Sequence, residues 1–86
     1  MESSTSVRLD KWLWAARFYK TRSAATAAVA GGKIEVNGGP AKPARIVTIG
    51  DTVRIRIAPF EWIVSITGVA ERRGSAEVAA RLYKET

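Results

Sequence analysis

RLDKWLWAARFYKTRSAATAAVAGGKIEVNG, residues 8–38, decides how this chain is read. Leu9, Trp12, Leu13 and Ala16 follow the i, i+3, i+4, i+7 spacing of one helical face, so the stretch predicts an amphipathic helix over residues 8–19. Tyr19-Lys20-Thr21-Arg22-Ser23 interrupts that pattern. Thr21 or Ser23 supplies a side-chain oxygen to cap a second, alanine-rich helix over residues 22–30. Gly31-Gly32 ends it, because glycine enters the left-handed region without a Cβ clash. Ile34 and Val36 then alternate with polar neighbours as a half-buried strand does, and Asn37-Gly38-Gly39 is a strong turn signal.

Outward from that stretch the pattern becomes β-rich. Pro40-Ala41-Lys42-Pro43 reads as a basic loop. Ile46-Val47 precede a turn at Gly50-Asp51, and Val53, Ile55 and Ile57 alternate with Arg54 and Arg56. Pro59 breaks that strand, and residues 60–70 are aromatic and β-branched enough for another. Ser75 caps a last helix with Val78, Ala79 and Leu82 on its apolar side. The order of elements predicts an α+β domain, two N-terminal helices packed on a small, mainly antiparallel sheet with a C-terminal helix. Residues 1–7 are expected to be a flexible N-terminus and residues 8–86 one domain.

With 86 residues, 47% of them hydrophobic and 26% charged, the chain has material for one small core. It contains no cysteine, so packing alone must hold it, and a cytoplasmic setting is expected. No run approaches the ~20 apolar residues that a membrane span needs. The net charge is +6, unevenly spread. Residues 8–56 carry ten cations against Asp10, Glu35 and Asp51, a net +7, whereas residues 57–86 carry four of each sign. Cations gathered in one region repel one another, and a polyanion such as nucleic acid relieves that cost. With neither His nor Cys, the usual general base near neutral pH and the usual metal ligands are missing. The chain is therefore read as a binding protein, not an enzyme, with no cofactor and no metal.

Trp12 falls on the Leu9–Leu13 stripe and is assigned to the core. Trp14 and Phe18 lie on the opposite face, where they either pack under the sheet or the last helix or offer stacking surfaces to unpaired bases. Asp10 is expected to partner Arg8, Lys11 or Arg17.

The same residues carry a resemblance. Arg8-Leu9-Asp10, Leu13, Thr21-Arg22-Ser23, Ala25, Gly31-Gly32-Lys33 and Val36-Asn37-Gly38 resemble the S4-type RNA-binding domain, the αL motif, over about residues 8–57. Within that group, the run from Asp10 to Arg22, with Arg72-Arg73 and Leu82-Tyr83 later, is similar to the ribosome-associated heat-shock protein 15 family. That resemblance implies binding to the large ribosomal subunit, in rescue or recycling of stalled subunits under heat stress. It also implies a Lys- and Arg-rich C-terminal extension, which the sequence through Tyr83-Lys84-Glu85-Thr86 does not show.

Composition and resemblance converge on structured ribosomal RNA as the ligand of a monomer that does not engage membranes. Arg8, Lys11, Arg17, Lys20 and Arg22 are expected to face phosphates, with Lys33, Lys42 and Arg45 extending that surface. The alternatives are a stand-alone module for tRNA or another structured RNA, and a basic protein-interaction module.

Overall fold

The structure, a computed structural model, describes residues 6–70 and 72–85. Leu9, Trp12 and Leu13 are completely buried, as their spacing requires, and the fold is assembled around them. They belong to helix α1 (Leu9–Ala15), which follows strand β1 (Ser6–Arg8) and precedes helix α2 (Arg22–Ala30). Strands β2 (Ile34–Val36), β3 (Gly39–Pro40), β4 (Ile46–Thr48), β5 (Thr52–Ile57) and β6 (Phe60–Ile66) follow, then helix α3 (Ala76–Ala79) and strand β7 (Tyr83–Glu85). Every pairing is antiparallel. β1 pairs with β4, and a five-stranded sheet runs in the order β3-β2-β5-β6-β7.

The register explains which side chains meet the helices. Ile34 stands opposite Ile55, Val36 opposite Val53, and Val53 opposite Val64. All five are buried, and with Val29 and Ala25 of α2 they close the core over α1. Trp12 anchors the centre, its indole Nε1–H donating to the Gly68 carbonyl at 3.0 Å. A buried indole needs such a partner, or it forfeits the solvation it gave up.

Local signals set several boundaries. Thr21 accepts from the Ala24 backbone N–H at 3.0 Å and Ser75 from that of Val78 at 3.2 Å, so both expected N-caps are present. At the end of α2, Lys33 N–H reaches the Ala28 carbonyl and Gly32 N–H reaches that of Val29. That Schellman closure puts Gly32 at φ +79°, which a glycine adopts without strain. Asn37 and Gly38 both take positive φ in the β2–β3 turn, as the Asn-Gly signal requires.

Four boundaries differ from the sequence reading, and the first is that of β6, which stops at Ile66 and not at residue 70. α1 ends at Ala15, four residues before the expected 19, through a second Schellman closure. Phe18 N–H bonds the Leu13 carbonyl, Arg17 N–H bonds that of Trp14, and Arg17 itself sits at φ 68°. The hydrophobic contact that accompanies this motif is the Trp12–Phe18 ring pair, with centroids 6.0 Å apart. The C-terminal helix is a single turn, after which Leu82 is buried and Tyr83–Glu85 forms an edge strand on β6. At the other end Val7 is buried within β1, so Ser6 and Val7 belong to the folded domain, while residues 1–5 of the expected flexible terminus lie outside the described residues.

Leu13 makes no contact with solvent. Leu13→Ala is expected to lower unfolding free energy by about 2–5 kcal/mol in a urea titration. A loss below about 0.5 kcal/mol would contradict the burial of this side chain.

Candidate nucleic-acid interface

Asp10 is the one charged residue buried among the described residues, with 1% of its surface exposed. It sits in the first turn of α1, where the helix dipole favours a carboxylate. Arg8, two residues earlier at the end of β1, grips it with both prongs: Nε to Oδ1 at 3.1 Å and Nη2 to Oδ2 at 2.8 Å. Arg22, the first residue of α2, places Nη2 3.5 Å from Oδ1. The Thr26 hydroxyl, one turn further along α2, lies 3.0 Å from Oδ2 and 2.9 Å from the Arg22 carbonyl. Its single hydrogen serves one acceptor at a time. One carboxylate thus ties together β1, α1 and α2.

Burial by itself would push the Asp10 carboxyl up. The Arg8 and Thr26 hydrogen bonds, the Arg8 charge and the Lys11 backbone N–H outweigh it and hold the group below its ordinary value. Asp10 therefore stays ionised at neutral pH. Its two guanidinium partners keep 46% and 43% of their side chains exposed. They line an open groove of about 460 Å³ together with Ser23, Thr26, Ala27 and Ala30. The alanines leave room for a ligand to approach the α2 backbone.

The other expected cations fall into four places. Lys42 and Arg45 are exposed on the loop between β3 and β4. That loop is laced to the Arg8–Asp10 corner by Leu9 N–H to the Arg45 carbonyl at 2.8 Å and Asp10 N–H to the Pro43 carbonyl at 3.3 Å. Lys11 is half-buried on α1. Arg17 and exposed Lys20 lie in the α1–α2 connection, away from the groove. The Arg17 guanidinium donates to the Gly74 carbonyl from Nε at 3.2 Å and Nη2 at 2.9 Å, which steadies a residue held at positive φ. Lys33 is exposed just past the C-terminal end of α2, the opposite end from Arg22. The structure therefore brings Arg8 and Arg22 together, joins the Lys42–Arg45 loop to them, and sets Arg17, Lys20 and Lys33 apart.

One pairing and one residue of the site escaped the sequence reading. Arg22 as a partner of Asp10 has no local signal, being twelve residues away. Thr26 reads in isolation as an ordinary helix-interior residue.

Arg54 and Arg56, by contrast, are compensated. Arg54 hydrogen-bonds Glu61 and lies 3.6 Å from Glu35, and Arg56 lies 3.7 Å from the other Glu35 oxygen. The strand register makes this possible, since Glu35 faces Arg54 and Arg56 faces Glu61. The face of the sheet turned away from the helices is accordingly close to neutral. Among the described residues no group of three or more acidic, His or Cys side chains is placed to hold a metal, and no helix is long and apolar enough to cross a membrane.

Comparison with known proteins agrees with this architecture. The S4 domain matches residues 7–53. A heat shock protein 15 homolog of Aeromonas salmonicida is 49% identical over 85 residues, and heat shock protein 15 of Escherichia coli is 47% identical over 83. These alignments take in 99% and 96% of this chain but 64% and 62% of the relatives, so the chain spans under two thirds of their length. An RQC P-site tRNA stabilizing factor of Listeria innocua is 43% identical over 93% of this chain and 86% of its own length. Among solved structures, heat shock protein 15 of Vibrio cholerae, described as trimeric, superposes with a TM-score of 0.90 at 49% identity, covering 94% of this chain and 82% of that one.

Asp10→Asn is expected to cost about 1–3 kcal/mol at neutral pH, because two guanidiniums lose their shared charge. A carboxyl held below its unfolded value of about 3.9 adds stability above that pH and loses it as the pH falls through the lower, folded value. The wild type should therefore weaken in acid through this group, and Asp10→Asn should flatten that limb. Identical acid dependence in the two proteins, followed by unfolding at a series of pH values, would rule out the ion-paired carboxylate.

Proposed function

The chain belongs to the S4 domain family, and on that footing we propose that it binds structured RNA of the large ribosomal subunit. The observation that carries the reading is the pair of half-exposed guanidiniums, Arg8 and Arg22, held on one buried carboxylate beside an open groove. Arginine suits phosphate, because its planar fork donates two parallel hydrogen bonds. Each guanidinium here uses part of its donor set on Asp10 and directs the remainder outward. Fixing both in advance lowers the rotamer entropy lost on binding. Arg22 and Ser23 also open a nine-residue helix, whose first N–H groups favour anions.

Lys42 and Arg45, on the loop bonded to the same corner, extend the contact along the phosphate backbone. Lys11, Arg17, Lys20 and Lys33 supply a wider field that steers RNA to this side. An RNA helix presents shape, phosphates and 2′-hydroxyls across its minor groove, so a groove flanked by arginines fits a folded element better than a linear sequence. The finer role we propose is attachment to large subunits that still hold a nascent chain with its tRNA, in their rescue or recycling under heat stress. The names of the heat shock protein 15 relatives support the heat-stress part of that role, and that of the Listeria relative, a P-site tRNA stabilizing factor, supports the tRNA part. The chemistry is binding, carried out in the cytoplasm where ribosomes are.

Co-sedimentation with isolated large subunits, small subunits and bulk tRNA over a salt series checks this. Selective recovery with large subunits that falls steeply with salt is expected. Arg22→Ala should reduce the slope of log affinity against log salt by about one unit. Arg54→Ala, which removes the same charge from the compensated sheet face, should leave the slope near wild type. Equal slopes for wild type and Arg22→Ala would remove Arg22 from the interface, and equal recovery with all three RNAs would refute the subunit assignment.

A further inference from the structure

Aromatic residues run from the core to the surface without a gap. Trp12, fully buried, stacks with Phe18 at 6.0 Å, Phe18 meets Trp62 at 6.0 Å and Tyr83 at 4.9 Å, and Trp62 meets Phe60 at 5.8 Å. Phe18, offered by the sequence as a possible stacking surface, is used up inside this ladder. Its outer rung is Phe60, at the start of β6, with 63% of its surface exposed. Along the β5–β6 pair, burial falls from Ile55 and Trp62 to Ile57 and Phe60, so the hairpin end carries its ring beyond the cover of the helices.

Phe60 shares an open hollow of about 300 Å³ with Lys33, Arg56, Ala58, Pro59 and Glu61. Lys33 and Arg56 are adjacent, the Arg56 backbone N–H donating to the Lys33 carbonyl at 3.0 Å. Glu61 is engaged by Arg54, which offsets its charge. An exposed ring braced from behind, with the Lys33 cation at its edge and Arg56 shared with Glu35 3.7 Å away, suits a nucleotide: a flat π-face for a base and positive charge for its phosphate. A neutral or basic peptide would leave the positive charge unused.

We propose that Phe60, with Lys33, is a second RNA contact that stacks an unpaired base. It rests on the RNA-binding reading above and adds to it. The Arg8–Arg22 groove takes phosphates of a folded element at the N-terminal end of α2. Lys33 lies past the C-terminal end of the same helix, so the platform receives a nucleotide that leaves that element. The bracing ladder lowers the entropy cost of stacking, because the Phe60 ring already rests on Trp62.

The test compares a fluorescent oligoadenylate with an abasic ribose-phosphate strand of the same length and charge, using the whole chain. Wild type is expected to bind the oligoadenylate about 5- to 150-fold more tightly. Phe60→Ala should bind the two strands equally, with its salt slope unchanged because no cation is lost, and Phe60→Trp should restore the preference. Lys33→Ala should weaken both strands alike and lower the slope. Phe60 contributes little to the core, so Phe60→Ala should unfold near the wild-type midpoint. Absence of a preference in the wild type overturns the proposal, as does a preference that survives Phe60→Ala. If Phe60→Ala changes the oligomeric state in sedimentation and leaves the preference intact, the ring is a contact between copies and the proposal falls. Binding to large subunits without binding to either strand overturns the platform alone, whereas failure to bind any RNA overturns the underlying reading as well.

Discussion

Taking a carboxylate out of water is tolerable only when opposite charge and hydrogen bonds replace the water, and Asp10 meets that condition from three elements at once. Arg8 comes from β1, the carboxylate from α1, and Arg22 with Thr26 from α2. The relative placement of the two N-terminal helices is therefore written into one set of hydrogen bonds. The loop that carries Lys42 and Arg45 is fastened to the same corner by backbone bonds from Leu9 and Asp10. Because the partners of Asp10 are arginines that remain half exposed, the interaction that orders the fold also orders the surface.

The chain separates its charges by pairing some of them. On the outer face of the sheet, antiparallel register sets Glu35 and Glu61 against Arg54 and Arg56, and the field there is close to neutral. The eight other cations of residues 8–56 are set against only Asp10 and Asp51 in that stretch, and Asp10 is one carboxylate shared by two arginines. A uniform +6 would attract RNA in any orientation. Setting Arg8, Arg22, Lys42 and Arg45 at one corner gives the proposed encounter a direction, while the stacking proposed at Phe60 is a contact of a different kind, insensitive to salt.

Much of this was legible in the sequence, for physical reasons that differ between elements. The Leu9, Trp12, Leu13 stripe, the Thr21 and Ser75 caps, the glycine stop of α2 and the Asn37-Gly38 turn are all local, with their partners close by in the chain. What was not legible depends on distant partners. The apolar stripe and its interruption at Tyr19 point to a helix as far as residue 19, and nothing local marks Arg17 as a stop. α1 stops at Ala15 because Phe18 closes on Trp12 and the Arg17 guanidinium reaches Gly74, 57 residues on. Strands β1 and β7, three residues each, exist only through pairing with β4 and β6 and carry too few residues for a periodic signal. The candidate site divides in the same way. Basic residues were visible as a group, and Arg8 as a partner of Asp10. Bringing Arg22 to the same carboxylate, turning Arg17 to a backbone carbonyl and neutralising Arg54 are consequences of tertiary placement.

The most direct test of the claim that Asp10 organises the binding surface is the affinity of Asp10→Asn for isolated large ribosomal subunits, with folding checked by circular dichroism. Removing a carboxylate raises the net charge by one, and charge alone predicts tighter binding to RNA. Preorganisation by Asp10 predicts the opposite, weaker binding by folded protein, because Arg8 and Arg22 lose the group that aims them. Affinity equal to or above that of the wild type would contradict it.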